Sequence, residues 1–378
     1  MSKKYFHSIA VMVGTIIGVG IFSLPFILVK TGLMIFLLYF FALAAVQYFI
    51  HLLYAEIILS TRQKHRLAGY AKRYLGAPYD KIVLILVLAS VNLTILIYLI
   101  VGGDFAHKLL GDWLGGEAAY YSWLLFGIGL LITYWGFRGV AWTELGMSGL
   151  LLIVITIIVW KGAQSWRPEV LLYNNWQAAF LPYGPIFFAL SGATCLPVIC
   201  KLLAHKKENI KSVIGWGTFG AAALILIFSI VVAGVTGVNT SADALGGLEK
   251  VWGGAIMKIV LLFGFLAIFT SFIVSLQNSR EIYWWDLGLP RHISWLLANF
   301  IPLGLWLLGF NNFAQIIGFT GALTGGMIGI VYILIARKVK QKREQPTPLV
   351  APLNLPFAAI LIALFLFVFG YEIWSLLN

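Results

Sequence analysis

A chain of 378 residues with 61% hydrophobic and only 11% charged residues cannot cover its own core in water, since soluble domains carry roughly 25% charged residues. The net charge of +12 does not point to nucleic acid, because the basic residues sit in short clusters between long apolar runs and form no basic helix face. A mean hydropathy of +0.94 leaves the lipid bilayer as the solvent and a multi-pass membrane protein as the class.

A hydrocarbon core of ~30 Å takes about 20 apolar residues per helix. Eleven stretches qualify, at roughly 6–30, 33–59, 82–103, 120–137, 140–161, 181–203, 212–236, 255–279, 292–309, 312–336 and 355–377. The first is too long for the apolar part of a signal peptide and reads as a retained helix. Gly136-Phe137-Arg138-Gly139 divides the fourth stretch from the fifth, and Gly309-Phe310-Asn311-Asn312 the ninth from the tenth. Cys195 and Cys200 share the sixth stretch five positions apart, so neither a disulfide nor a metal site is expected of them. Trp142, Trp160, Trp166, Trp284, Trp285 and Trp374 fall near helix ends, where tryptophan anchors membrane proteins. With the N-terminus inside and the spans alternating, all but Lys30, Lys108, Lys161, Arg167, Lys250 and Lys258 of the 26 Lys and Arg fall on the inner side. That asymmetry predicts a cell-membrane protein with a cytoplasmic N-terminus and an extracytoplasmic C-terminus.

The first stretch contains Gly20-Ile21-Phe22-Ser23-Leu24-Pro25 and the sixth Gly192-Ala193-Thr194-Cys195-Leu196-Pro197, two copies of Gly-x-x-x-Leu-Pro. They lie five helices apart, so the second runs through the membrane in the opposite direction. Two halves that each open with an interrupted helix is the pattern of an inverted-repeat transporter. The expected architecture is therefore all-α and polytopic: eleven transmembrane helices, a five-plus-five inverted repeat with broken helices 1 and 6, and one extra C-terminal helix. Residues 1–161 form the first five-helix repeat, 181–336 the second, and 337–378 a basic linker and the eleventh helix.

Glycine favours coil, and proline removes a backbone donor. Unpaired backbone is costly in lipid, so breaks are tolerated where the freed groups line a cavity. A half-helix starting after a break aims N–H groups and the positive end of its dipole at an anion such as a carboxylate. Unwound carbonyls accept from an ammonium or coordinate a cation. Gly14-x-x-x-Gly18 also has the spacing of a helix-packing motif.

The run from Gly14 to Pro25 resembles the first helix of the amino acid–polyamine–organocation superfamily. Together with Thr270-Ser271-Phe272 and Tyr283-Trp284-Trp285-Asp286, it is most similar to the aromatic (tryptophan and tyrosine) amino acid permeases. Ile186-Phe187-Phe188-Ala189-Leu190-Ser191 and Ala267-Ile268-Phe269-Thr270-Ser271 are similar to the sixth and eighth helices of bacterial sodium-coupled amino acid symporters of the neurotransmitter-transporter type. These resemblances imply a secondary transporter with Phe188 flanking the substrate side chain and Ser191 near its amino end. They also imply a sodium site of the Gly14, Ile17 and Ala267 carbonyls and the Thr270 and Ser271 hydroxyls. A second sodium site is not implied, because Ala189 and Ile21 stand where its threonine and asparagine would be. Candidate substrate-binding residues are Gly18, Gly20, Phe22 and Ser23 around the first break and Phe188, Ser191, Gly192 and Thr194 around the second.

Neither broken helix carries Asp, Glu, Lys or Arg at residues 8–29 or 178–200, which disfavours a polyamine and suits a zwitterion. Phe22, Phe187 and Phe188 suit an aromatic or large neutral amino acid. The coupling ion is sodium or, alternatively, a proton carried by His51, Glu56 or Glu144. No other cofactor is expected; the partners are an amino acid and the bilayer, with no nucleic acid. No His-Glu-x-x-His, nucleophile elbow or intramembrane acidic cluster points to an enzyme, and no charged ring or filter segment to a channel.

Overall fold

The computed structural model describes residues 3–63, 65–135, 140–342, 349 and 355–377. Among them there is helix and no strand. In chain order the helices are α1 (Lys3–Ile16), α2 (Gly20–Thr31), α3 (Leu33–Ser60), α4 (Leu67–Tyr74), α5 (Tyr79–Leu114), α6 (Ala118–Trp135), α7 (Val140–Gly162) and α8 (Tyr183–Ala189). They continue as α9 (Leu196–Leu202), α10 (Ile210–Thr236), α11 (Leu245–Trp252), α12 (Gly254–Glu281), α13 (Arg291–Leu307), α14 (Phe313–Leu323), α15 (Gly329–Lys342) and α16 (Leu355–Leu377).

Every apolar stretch read from the sequence contains helix among the described residues. Among the described residues seven helices are long and apolar enough to cross a bilayer, and α1 with α2 makes an eighth if that pair, bent by 55°, is one span. The segment at 292–309 appears as α13, only 17 residues long. The divide at 136–139, most of the 343–354 linker and the side chains of Trp142 and Glu144 lie outside the described residues. Large apolar side chains such as Phe41, Ile85, Trp135 and Phe367 stand exposed on the outside of the bundle. Water would not tolerate such a surface, whereas lipid is its natural contact.

The broken pair α1–α2 lies at the centre: residues 16–25 are buried without interruption. It packs on α10, α7, α8 and α9. Helices α5 and α12 pack against each other in antiparallel fashion, with an ion pair at each end. Arg66, ahead of α5, meets Glu281 at the end of α12, and Lys258 at the start of α12 meets Asp112 near the end of α5. Helix α8 crosses α14 with the two backbones in contact. A Cβ on Gly321 would lie 1.8 Å from the Gly184 carbonyl oxygen, so only glycine permits this approach. Two helices lapse into π-turns, at Ile282–Asp286 and at Thr324–Ile328 between α14 and α15. Such bulges recur at functional sites. Helix α16 packs on the second of them.

Candidate substrate cavity

Helix α1 ends when the Gly18 N–H abandons the Gly14 carbonyl and bonds Ile16 O at 2.9 Å. Three residues on, the Ile21 N–H reaches Gly18 O (3.4 Å) rather than Ile17 O. The carbonyls of Gly14 and Ile17 are thereby released from the helical ladder. Gly20 opens α2 against the other broken helix: a Cβ there would sit 2.6 Å from Ala189 Cα. The two breaks thus touch, and the touching surfaces are main chain.

The second break follows α8. Ser191 N–H bonds Phe188 O (3.1 Å), which strands the Phe187 carbonyl, and Gly192 N–H has no carbonyl one turn back. Both groups are caught by α3. Gln47 Nε2 donates to Phe187 O at 2.8 Å, and the Gly192 N–H donates to His51 Nε2 at 3.0 Å. His51 Nδ1 lies 3.0 Å from Thr218 Oγ1 on α10. Since Nε2 accepts, the proton of the neutral ring is on Nδ1 and donates to Thr218. Gln47 and His51 are one helical turn apart and so share a face. A buried main-chain group left unpaired costs about 1–3 kcal/mol, so the pair stabilises the break by an amount of that order.

The chain resumes with a single tight turn, Ala193–Cys195, before α9. Pro197 sits in the first turn of α9, where its missing N–H costs nothing, whereas Pro25 lies inside α2. The two Gly-x-x-x-Leu-Pro copies therefore restart their helices at different points.

Between the breaks, α5 and α12 border a cavity of about 170 Å³. Of the residues predicted to bind substrate, Gly18, Gly20, Phe188, Ser191 and Thr194 line it, and so does Ser271 of the predicted sodium site. Phe22, Ser23 and Gly192 do not. Phe22 is packed edge-on against Phe105 and Phe228, with ring centroids 5.1 and 5.9 Å away. Ser23 turns back to bond Gly20 O, and Gly192 abuts Ile16 and Met12. Phe187 is likewise buried away from the cavity, stacked on Tyr183 and pressed on Gly325. Thr270 Oγ1 donates to Ala267 O at 3.1 Å, which brings two of the predicted sodium ligands together.

Much of the lining was not anticipated. Ser90, Thr94 and Tyr98 come from one face of α5, and Ser271, Ser275 and Asn278 from one face of α12. The Tyr98 hydroxyl and Ser271 Oγ both lie beside Gly18, where a Cβ would meet them at 3.0 and 3.7 Å. Tyr54, Arg66 and Tyr332 close one end. Arg66 bonds Glu281 (2.5 Å) and the Thr194 carbonyl (3.4 Å), joining the loop before α4 to both α12 and the restarted helix six. Burial alone would lower the Arg66 pKa, but the Glu281 carboxylate together with Tyr54 and Asp286 outweighs it and raises it. Near the C-terminal end of α5, Lys108 pairs with Asp243 of the loop that follows α10.

The model of the tryptophan/tyrosine permease family matches residues 1–372. The chain belongs to that family. No curated protein matches the permease in sequence. Among solved structures, the permease is similar to Mhp1, a nucleobase-cation-symport-1 family transporter in a closed conformation with bromovinylhydantoin bound. The TM-score is 0.66 at 12% identity, over 98% of this chain and 93% of that one. It is also similar to MhsT in complex with L-phenylalanine, with a TM-score of 0.64 at 14% identity, over 98% of this chain and 99% of that one. The permease is thus a multi-pass membrane transporter with the fold of these two proteins, and not an enzyme. Among its described residues no group of three or more His, Cys, Asp or Glu is placed to hold a metal ion.

Two of the three residues weighed as proton carriers in the permease have definite structural partners. His51 holds the Gly192 N–H, and Glu56, buried in α3, faces Lys340 of α15 at 3.7 Å. The Glu144 side chain is outside the described residues. Cys195 and Cys200 are buried and not joined in a disulfide, and the Cys195 thiol donates to Gly192 O at 3.1 Å.

Proposed function

We propose that the permease is a secondary active symporter for amino acids, aromatic or large neutral, working by alternating access across the cell membrane. One observation carries this reading: two interrupted helices meet main chain to main chain beside a cavity, with released carbonyls at the first break and the start of a new helix at the second. The N–H groups of Ala193 and Thr194 suit a carboxylate, and the unwound carbonyls suit an ammonium. Phe188 is the aromatic wall, as the sixth-helix resemblance implied. The aromatic amino acid held by MhsT and the family's name support the substrate class.

Sodium is the coupling ion in this reading. The carbonyls released at the first break are those of Gly14 and Ile17, two of the expected ligands, and Ala267, Thr270 and Ser271 supply the other three oxygens. Five neutral oxygens match a hard monovalent cation. The reading includes eleven spans, the five-plus-five inverted repeat, and the N-terminus on the cytoplasmic side. On that side the Arg66–Glu281 pair lies at the inner end of the cavity.

Counterflow in proteoliposomes tests carriage: unlabelled tryptophan inside should accelerate entry of labelled tryptophan, and a channel or an enzyme would show no such acceleration. Uptake in sodium and in choline at fixed pH tests coupling, and equal rates would overturn the sodium assignment.

A further inference from the structure

The α5 wall of the cavity is built from hydroxyls whose protons are already committed. Thr324, in the π-turn, donates to Thr320 O at 2.7 Å. Its oxygen is 2.9 Å from Ser90 Oγ. Because the single Thr324 proton is spent on Thr320, Ser90 must be the donor in that contact. One turn along α5, Thr94 donates to the Ser90 carbonyl at 2.8 Å. All three residues line the cavity. Ser90 and Thr94 therefore have no proton left to offer it, only lone pairs. The chain of donation runs from Ser90 through Thr324 to the main chain of α14, and the π-turn brings Thr324 to α5 to complete it.

We propose that Ser90 and Thr94, polarised in this way, are specificity-determining residues that favour a substrate whose aromatic side chain carries a hydrogen-bond donor. An indole N–H or a phenolic O–H satisfies these oxygens. A phenyl ring takes them out of water and offers nothing in return, and a site built to bond a substrate proton discriminates strongly against an analogue lacking it. The proposal rests on the amino acid symport reading above and assigns the selectivity within it to the α5 wall.

The test compares matched pairs as competitors of labelled tryptophan uptake into proteoliposomes: tryptophan against 1-methyltryptophan, and tyrosine against phenylalanine. In the wild type, the member that has the donor should compete about tenfold or more better than its partner. In Ser90→Ala/Thr94→Val the ratio should fall toward one, through weaker binding of the donor-bearing member with phenylalanine little changed. Restoring the oxygen with Ser90→Ala/Thr94→Ser should recover part of the ratio, which a purely structural role for the wall would not do. A wild type that treats both members of each pair alike, or a ratio that survives Ser90→Ala/Thr94→Val, overturns the proposal while leaving amino acid transport standing. If no amino acid competes at all, the symport reading falls and this proposal falls with it.

Discussion

The backbone N–H of Gly192 donates to Nε2 of His51 across 3.0 Å, and this bond ties the break in helix six to α3. An acceptor at that position is what the break requires, and protonating the ring would remove it. His51→Gln, whose carbonyl can reach the same place, should keep transport and thermal stability near wild type. His51→Leu should lose about 1–3 kcal/mol of stability, because a buried N–H is left without a partner. Melting curves in detergent check the stability, and the pH profile of uptake checks the chemistry. A His51→Gln variant that folds but loses pH-dependent transport would show that the ring carries protons after all.

Gly20 is the point where the two breaks touch, with Ala189 backbone where its Cβ would be. The nearest atom is main chain and not a flexible side-chain end, so Gly20→Ala must push the breaks apart. The expected cost is about 1–3 kcal/mol, typical of an overpacked interior, together with a large loss of substrate affinity. Binding by scintillation proximity against melting temperature separates the two effects.

Thr270→Val and Ser271→Ala each remove one of the proposed sodium oxygens. Losing a ligand worth about 1.4 kcal/mol raises the sodium concentration for half-maximal uptake about tenfold. Counterflow at saturating sodium should be affected much less by Thr270→Val. Ser271 also lines the cavity beside Gly18, so Ser271→Ala should weaken substrate binding as well. An unchanged sodium dependence in both variants would remove the site.

Glu281 and Arg66 form a mostly buried pair at one end of the cavity. Glu281→Gln leaves the guanidinium without its counter-charge, and breaking such a pair costs about 3–5 kcal/mol. Transport should fall sharply, and Glu281→Asp should recover part of it. Cysteine accessibility of the cavity from the N-terminal face should rise in Glu281→Gln if the pair closes that end.

Asp243 lies in the loop before α11. Burial acts to raise its pKa, but the Lys108 ammonium and hydrogen bonds from Ser241 and the Gly246 N–H prevail and hold it below the usual 3.8. A group with a depressed folded pKa contributes stability that is present in full above its unfolded value and lost as pH falls through the folded one. The gap in melting temperature between wild type and Asp243→Asn should therefore be flat from about pH 5 to 8 and shrink only below about pH 4.

The membrane class, the helical stretches and the two interruptions were legible in the sequence. Lipid forces long apolar runs into helices, and glycine with proline marks where a helix is weakest. Part of the cavity lining was legible for the same reason: Gly18, Gly20, Phe188, Ser191 and Thr194 flank the breaks. Phe22 does not join that lining because an aromatic beside a break can turn either way, and here it turns into the Phe105 and Phe228 rings. His51 looked like a proton carrier because an ionisable group in an apolar helix has no local reason to be there. Its reason is Gly192, 141 positions away. A signal did exist for the unread lining. Ser90, Thr94 and Tyr98, like Gln47 and His51, are polar residues four apart in apolar helices, so each set shares one face.

What the sequence determined by itself is the solvent and the local backbone, because hydropathy and helix-breaking act within a few residues. The tertiary structure decided which freed backbone groups are satisfied from within and which are left to the cavity. It also decided which way the Ser90 proton points. Those outcomes depend on partners 140, 141 and 234 positions away in the chain, and a hydrogen bond has no preference in sequence distance.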